Sequence, residues 1–222
     1  MKILLVDAKA RIDLNCIEKN LDRIPQGCGI VTTLQHRHAL QDIAAMLKKH
    51  GKDCIILGQV LGCNQDVALG EEAAKAGSFL YIGTGRFHPI GIAAKTDRPV
   101  HCIDPYTGIF SEVKPEEIDR FTKKKKAAAT LFLAKERIGL IISLKTGQRY
   151  EKASEIEKRI KERYPEKETF LFACGTLDFN ELENFPFIDL WINTMCPRIG
   201  YDDSIRMLKP IVNIEDIKNL IL

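Results

Sequence analysis

No stretch of this 222-residue chain is apolar for long enough to cross a membrane. The longest apolar runs, such as residues 138–144, fall far short of the about 20 residues a bilayer span needs. Charge of one sign is scarce as well. The 33 basic side chains and 30 acidic ones leave a net +3, too little to require a nucleic-acid partner, and no direct nucleic-acid site is evident. No two cysteines show C-x-x-C spacing, which excludes a zinc knuckle. A Walker-type glycine loop and a Ser-His-Asp constellation are both missing, which removes P-loop nucleotide hydrolysis and serine-hydrolase chemistry. The opening Met1-Lys2-Ile3-Leu4-Leu5-Val6-Asp7 has no small-residue cleavage site. It reads as a first strand rather than a signal peptide, so a cytoplasmic location is expected.

What is present is an ordinary globular composition, 45% hydrophobic and 28% charged, long enough for one large domain or two small ones. Seven cysteines are many for a cytosolic chain. Their odd number and wide spacing do not suit a secreted disulfide framework, so any metal site must draw on distant parts of the chain. The basic block Lys123–Lys126 falls inside an expected helix. It reads as a solvated helix face, with contact to an acidic RNA or protein as the alternative.

Short β-rich runs alternate with amphipathic stretches. Strands are expected at residues 2–6, 30–33, 53–57, 79–82, 100–103, 138–143, 169–172, 189–193 and 210–212. Helices are expected at 13–23, 36–50, 65–76, 89–95, 115–135, 151–163, 178–184 and 214–220. This alternation predicts an α/β fold of mainly parallel sheets flanked by helices, a three-layer αβα design. After the long helix the pattern restarts, which predicts two similar domains, 1–126 and 127–222. Ligands of open parallel sheets bind at the carboxyl ends of strands, so the chemistry belongs in the loops after them.

Four such loops stand out. In Gly58-Gln59-Val60-Leu61-Gly62-Cys63-Asn64, two glycines let backbone approach a bulky ligand beside a thiol. In Asn193-Thr194-Met195-Cys196-Pro197-Arg198, a Cys-Pro step ends a strand, a pairing that recurs at iron–sulfur ligands. For either cysteine taken alone, a buried structural thiol is the safer reading. Two such loops, expected at equivalent places in two related domains, favour a shared role as metal ligands. The third loop, Gly83-Thr84-Gly85-Arg86-Phe87-His88-Pro89, opens a helix whose free amides suit a carboxylate or phosphate. His88 stands where a dinucleotide fingerprint has its third glycine, and is either a base, a ligand or a structural residue. The fourth, Ser143-Leu144-Lys145-Thr146-Gly147-Gln148-Arg149, offers amides and cations to an anion. Two histidines, His36 and His38, follow another strand and suggest a metal site, but one without a partner carboxylate and so of little weight. Cys16, Cys28, Cys54 and Cys102 are expected in the core, and Cys174 just after a strand.

These loops, with Ile103-Asp104-Pro105-Tyr106-Thr107 and Asp202-Asp203, resemble the archaeal diphthamide synthase family, the 2-(3-amino-3-carboxypropyl)histidine synthases. The resemblance runs over essentially the whole chain and keeps the order of the motifs. It implies the first step of diphthamide biosynthesis: a 4Fe-4S cluster with one open iron binds S-adenosylmethionine, and a 3-amino-3-carboxypropyl radical is passed to a histidine of translation elongation factor 2. The family has three similar α/β domains, each giving one cysteine to the cluster. Cys63 and Cys196 match the ligands of its second and third domains. The resemblance also places Gly83, Gly85, Arg86 and His88, and Ser143, Lys145, Gly147 and Gln148, near S-adenosylmethionine, and it implies a homodimer. The chain starts where the family's second domain starts. The third thiolate is therefore expected from Cys174 or from a separate chain carrying the first domain. A non-catalytic partner subunit, or a divergent paralog with a partial cluster site, is the alternative.

Overall fold

The structure, a computed structural model, describes residues 4, 6, 8–61, 64–145 and 153–221. It divides into two compact units, Met1–Asp119 and Arg120–Leu222.

In the first unit, β1 (Cys28–Thr32), β2 (Cys54–Gln59), β3 (Phe79–Ile82) and β4 (Val100–Ile103) lie parallel in the order β2-β1-β3-β4. A short β5 (Phe110–Glu112) adds antiparallel to β4. All of β1 and β3 is buried, as expected where helices cover both faces of a parallel sheet. One face carries Ile30, Leu80, Ile82 and Ile103 and packs on α1 (Asn15–Glu18) and α2 (Leu40–Lys49). Leu40, Ile43 and Leu47 of α2 supply a helical-period stripe toward the sheet. The other face carries Val31, Phe79, Tyr81 and Val100 and packs on residues of α3 (Glu71–Ala74) and α4 (Phe87–Thr96).

The long α5 (Pro115–Ala134) begins with proline, whose missing N–H costs nothing at a first helical position. The unit division and the expected 126/127 boundary both fall within α5. Residues Lys123–Lys126 are exposed. Lys124 Nζ donates to Tyr201 O at 2.6 Å, and Lys125 lies 4.0 Å from Asp216.

In the second unit, β6 (Arg137–Ser143), β7 (Glu168–Cys174), β8 (Leu190–Asn193) and β9 (Ile211–Asn213) form an all-parallel sheet in the order β7-β6-β8-β9. This repeats the order of the first four strands of unit 1. On one face α5, α6 (Ala153–Arg163) and α8 (Ile214–Ile221) cover Ile138, Leu140, Leu190 and Ile192. On the other, Trp191 and Ile141 pack under Leu182 and Phe185. The two α/β units are thus parallel-dominated sheets flanked by helices. No helix among the described residues is long and apolar enough to cross a membrane.

Several expected elements differ. Of residues 2–6, Leu4 and Val6 are described, and both are exposed and outside any strand; the others lie outside the described residues. The edge strand β5 was not expected. Asp104 Oδ1 accepts the N–H groups of Tyr106 and Thr107 at 2.8 and 3.2 Å, and Gly108 takes φ +69°, which turns the chain back along β4. The expected helix at 13–23 is α1 followed by a 3-10 turn, Leu21–Arg23. That at 65–76 is a 3-10 turn, Asp66–Ala68, and then α3, interrupted at Gly70. That at 178–184 is the 3-10 helix Asn180–Asn184.

Candidate functional site

In each sheet the strand order reverses beside the first strand, between β1 and β3 and between β6 and β8. The crevice outside the carboxyl ends at such a reversal is where open α/β sheets bind ligands. Both seams are strapped by a threonine. Thr32 Oγ1 donates to Ile82 O at 2.6 Å, and Thr194 Oγ1 donates to Ile141 O at 2.7 Å.

In unit 2, Cys196 lies just past β8 at this seam and is half-buried. Pro197 caps the short helix α7 (Arg198–Tyr201) and turns the chain away. Asn193 Nδ2 donates to Cys196 O at 2.9 Å, and Asn193 Oδ1 accepts the Met195 N–H at 3.0 Å. The guanidinium of Arg198, paired with Asp202 at 2.7 Å, lies within electrostatic reach of the Cys196 thiol. On the other side of the seam, Ser143 ends β6 and is buried, and its Oγ accepts the Lys145 N–H at 3.1 Å. Lys145 is exposed. Gly147 and Gln148 lie outside the described residues.

Cys174 is the last residue of β7, paired with Ser143. It packs against the aromatic cluster around Trp191. Burial raises its pKa, partly opposed by Lys145.

In unit 1, Gly83–His88 follows β3 at the seam. Gly83 is buried, and a Cβ there would meet the Tyr81 hydroxyl at 2.7 Å. Gly85 has φ +76°, in the region that favours glycine. His88 stacks on Tyr81 with ring centroids 6.0 Å apart. The Arg86 guanidinium is engaged within the unit. It donates to Glu117 at 2.9 and 2.6 Å, to Ser111 Oγ at 3.0 Å and to Glu112 O at 2.9 Å. Its bond to Glu117 raises the arginine pKa and lowers that of the carboxyl. Arg86 therefore braces the loop from below.

Gly62 and Cys63 lie outside the described residues. On either side of them, Leu61 and Asn64 exchange backbone hydrogen bonds of 3.0 and 3.2 Å. Gly58 has φ +110° at a bulge in β2, where the register with β1 shifts. The expected equivalence of the two cysteine loops is corrected here. The 58–64 loop follows the outer strand β2, whereas Cys196 follows the inner strand β8. By strand order the counterpart of β2 is β7, which ends on Cys174. Two loops of similar composition do not reveal which strand each follows, because strand order is a tertiary property.

The remaining thiols sort as expected. Cys28 is buried and its pKa is pushed up to about 12 by desolvation, and that of Cys102 to about 11. Cys16 and Cys54 pack at the margin of the α2-side core.

Two further features depend on the tertiary structure. One is the pairing of Asn193 with Asn213 of β9, at 2.7 Å. The other is His36, fully buried after β1 with both ring nitrogens unpartnered, beside an equally unpartnered Thr33 Oγ1. Tyr106 packs 5.7 Å from the ring. Desolvation lowers the His36 pKa, assisted by His38 and opposed by Asp104. An unsatisfied buried polar group costs about 1–3 kcal/mol. His36→Leu is therefore expected to stabilise the protein by about that amount in urea titrations at neutral pH. The folded state binds a proton at His36 less readily than the unfolded chain does. Wild-type stability should therefore fall as pH drops below the ordinary imidazole value, and the variant should lose that part of the slope. A destabilised variant would refute the assignment of an unmet imidazole.

A family model described as a diphthamide synthesis protein matches residues 1–221. The 2-(3-amino-3-carboxypropyl)histidine synthase of Pyrococcus horikoshii is 33% identical over 232 residues, covering 98% of this chain and 65% of that protein. The synthase of Methanocaldococcus jannaschii is 30% identical over 211 residues, covering 92% of this chain and 56% of its own length. Among solved structures, the crystal structure of Dph2 from Pyrococcus horikoshii with a 4Fe-4S cluster matches with a TM-score of 0.77 and 31% identity, over 96% of this chain and 64% of that one. The chain spans less than two thirds of the length of each of these relatives.

Proposed function

The chain belongs to the diphthamide synthesis protein family, and from that premise we propose that it acts in the first step of diphthamide biosynthesis. The reaction is 4Fe-4S- and S-adenosylmethionine-dependent transfer of a 3-amino-3-carboxypropyl group to a histidine of translation elongation factor 2. The observation that carries this reading is the half-buried Cys196 at the carboxyl end of β8, at the strand-order reversal, in a chain whose solved relative contains a 4Fe-4S cluster.

The donor chemistry fits. Thiolate is the soft ligand that iron–sulfur clusters take. Cys196 combines partial exposure, a cationic neighbour and a turn anchored to the sheet. In this reading Cys63 and Cys196 are the metal ligands. Among the cysteines of the described residues, Cys174 is the candidate for a third thiolate. The cluster, when bound, supplies the electron that cleaves S-adenosylmethionine. In this reading Gly83, Gly85, Arg86 and His88, and Ser143, Lys145, Gly147 and Gln148, are S-adenosylmethionine-binding residues. The bond to Glu117 also lets Arg86 hold its loop in shape, and the exposed Lys145 ammonium offers charge to the methionine carboxylate. Elongation factor 2 is the protein substrate, the active form is a homodimer, and the site of action is the cytoplasm. A non-catalytic partner subunit or a divergent paralog is the competing reading.

The deciding experiment is anaerobic reconstitution with iron and sulfide, followed by absorption and electron paramagnetic resonance spectra with and without S-adenosylmethionine. The enzyme reading expects a reduced 4Fe-4S signal that S-adenosylmethionine perturbs, and methylthioadenosine as product. A cluster without methylthioadenosine favours the partner subunit. Loss of the signal in Cys174→Ala identifies that residue as a ligand; an unchanged signal excludes it. No iron retention under any condition refutes the cluster reading for this chain.

A further inference from the structure

We propose that Asn193 and Asn213 are positioning residues for Cys196, a buried amide pair that sets where the Cys196-Pro197 turn presents its thiol. The proposal deepens the reading of Cys196 as a cluster ligand and takes its chemical meaning from that reading.

The pair arises from register. β8 and β9 run parallel, and Asn193 and Asn213 are direct Cα partners at their carboxyl ends. Partners in a parallel pair project to the same face, so the two amides meet. They are 1% and 2% exposed. Side chains at strand ends in an apolar sheet would be filled more cheaply by leucine or valine, so two amides buried here call for a polar task.

Their bonds run in one direction. Asn193 Nδ2 donates to Cys196 O at 2.9 Å and to Asn213 Oδ1 at 2.7 Å, while Asn193 Oδ1 accepts the Met195 N–H at 3.0 Å. Asn213 Nδ2 donates to Pro197 O at 2.9 Å. Flipping the Asn193 amide would set donor against donor at Met195 and acceptor against acceptor at Cys196. Backbone groups of three consecutive residues, Met195, Cys196 and Pro197, are thus all held by two side chains rooted in the sheet.

A second layer lies beside Asn213. The half-buried Tyr201 hydroxyl donates to Asp216 Oδ1, within electrostatic reach of the Asn213 amide. Gly200 of α7 lies flat against the same amide, and a Cβ there would come within 2.6 Å of Asn213 Cγ. The Cys196 turn is therefore clamped from the sheet by the amides and from α7 by the contact at Gly200.

Three variants test this. Asn193→Asp keeps the oxygen that accepts from Met195 and removes both donated bonds. Asn213→Asp removes the bond to Pro197. Gly200→Ala keeps every hydrogen-bonding group and displaces the Asn213 amide. Two readouts apply to each folded variant. One is the iodoacetamide labelling rate of Cys196 in the iron-free chain, mapped by mass spectrometry with Cys54 and Cys174 as internal controls. The other is iron retention and the g-values of the reduced reconstituted protein. The expected result is a several-fold change in labelling confined to Cys196, with iron retention weakened by about 10- to 100-fold, the usual cost of losing a group that orients a metal ligand. Residual cluster should show shifted g-values, which a purely structural role would leave in place. Folded variants with wild-type labelling or a wild-type cluster spectrum overturn the proposal. Should the asparagine variants fail to fold, Gly200→Ala decides by the same readouts. If the wild-type chain itself retains no iron, the cluster reading falls, and the labelling arm alone decides whether the amides position Cys196.

Discussion

Cys196→Ala and Cys63→Ala, reconstituted anaerobically, should each lose essentially all stable iron, whereas Cys28→Ala should match the wild type. The expectation follows from what each thiol can do. Cys28 is wholly buried in the α2-side core, and burial pushes its pKa up to about 12. A thiol in that state is neither a nucleophile nor a ligand at neutral pH. Cys196 is half-buried, stands at the carboxyl end of an inner strand and has the Arg198 charge in reach. Removing the ligand itself should exceed the about 10- to 100-fold that losing a residue behind a ligand costs. Iron and sulfide assays with the reduced-state spectrum measure the effect. Equal iron in Cys196→Ala and wild type would contradict the ligand role. Equal loss in Cys28→Ala would mean that the signal reports folding instead.

Trp191→Ala should lower stability by about 3–5 kcal/mol, the usual cost of emptying a large aromatic site in a core. Trp191 is 1% exposed on β8, two residues before Asn193. Phe172 meets it edge-on at 4.8 Å and Phe185 at 6.4 Å. Gly139 of β6 faces the indole directly, and any Cβ at that position would overlap the ring. Because β8 leads into the cysteine turn, the vacated volume should also loosen the strand end that carries Asn193. Urea titration followed by far-UV circular dichroism gives the midpoint shift, and an unchanged m-value keeps the comparison valid. A shift worth less than about 1 kcal/mol would show that Phe172 and Phe185 collapse into the space.

Much of the fold was legible because strands and helices leave local periodic marks. The runs 79–82 and 100–103 are β3 and β4 with the same bounds, and Pro115 at the start of α5 is a signal carried by one residue. The misreadings were also local. Amphipathic patterns at 65–76 and 178–184 looked helical, but Gly70 interrupts one, and the other is a 3-10 helix, which shares enough of the helical period to mimic it. The three-residue β5 has no period to read.

By itself, the sequence determined the class of fold, the family, and the two cysteines to test first. Those features live in residue type and spacing, which the motifs Gly58–Asn64 and Asn193–Arg198 carry whatever the rest of the chain does. Only the tertiary structure decided that Cys63 and Cys196 follow strands of different rank, that Arg86 is engaged by Glu117, and that His36 is buried with its nitrogens unmet. It alone set Asn213 against Asn193, twenty residues earlier. Strand order and register are properties of pairing between distant segments, and a shift of one residue in β9 would turn Asn213 to the opposite face without altering any local sequence signal.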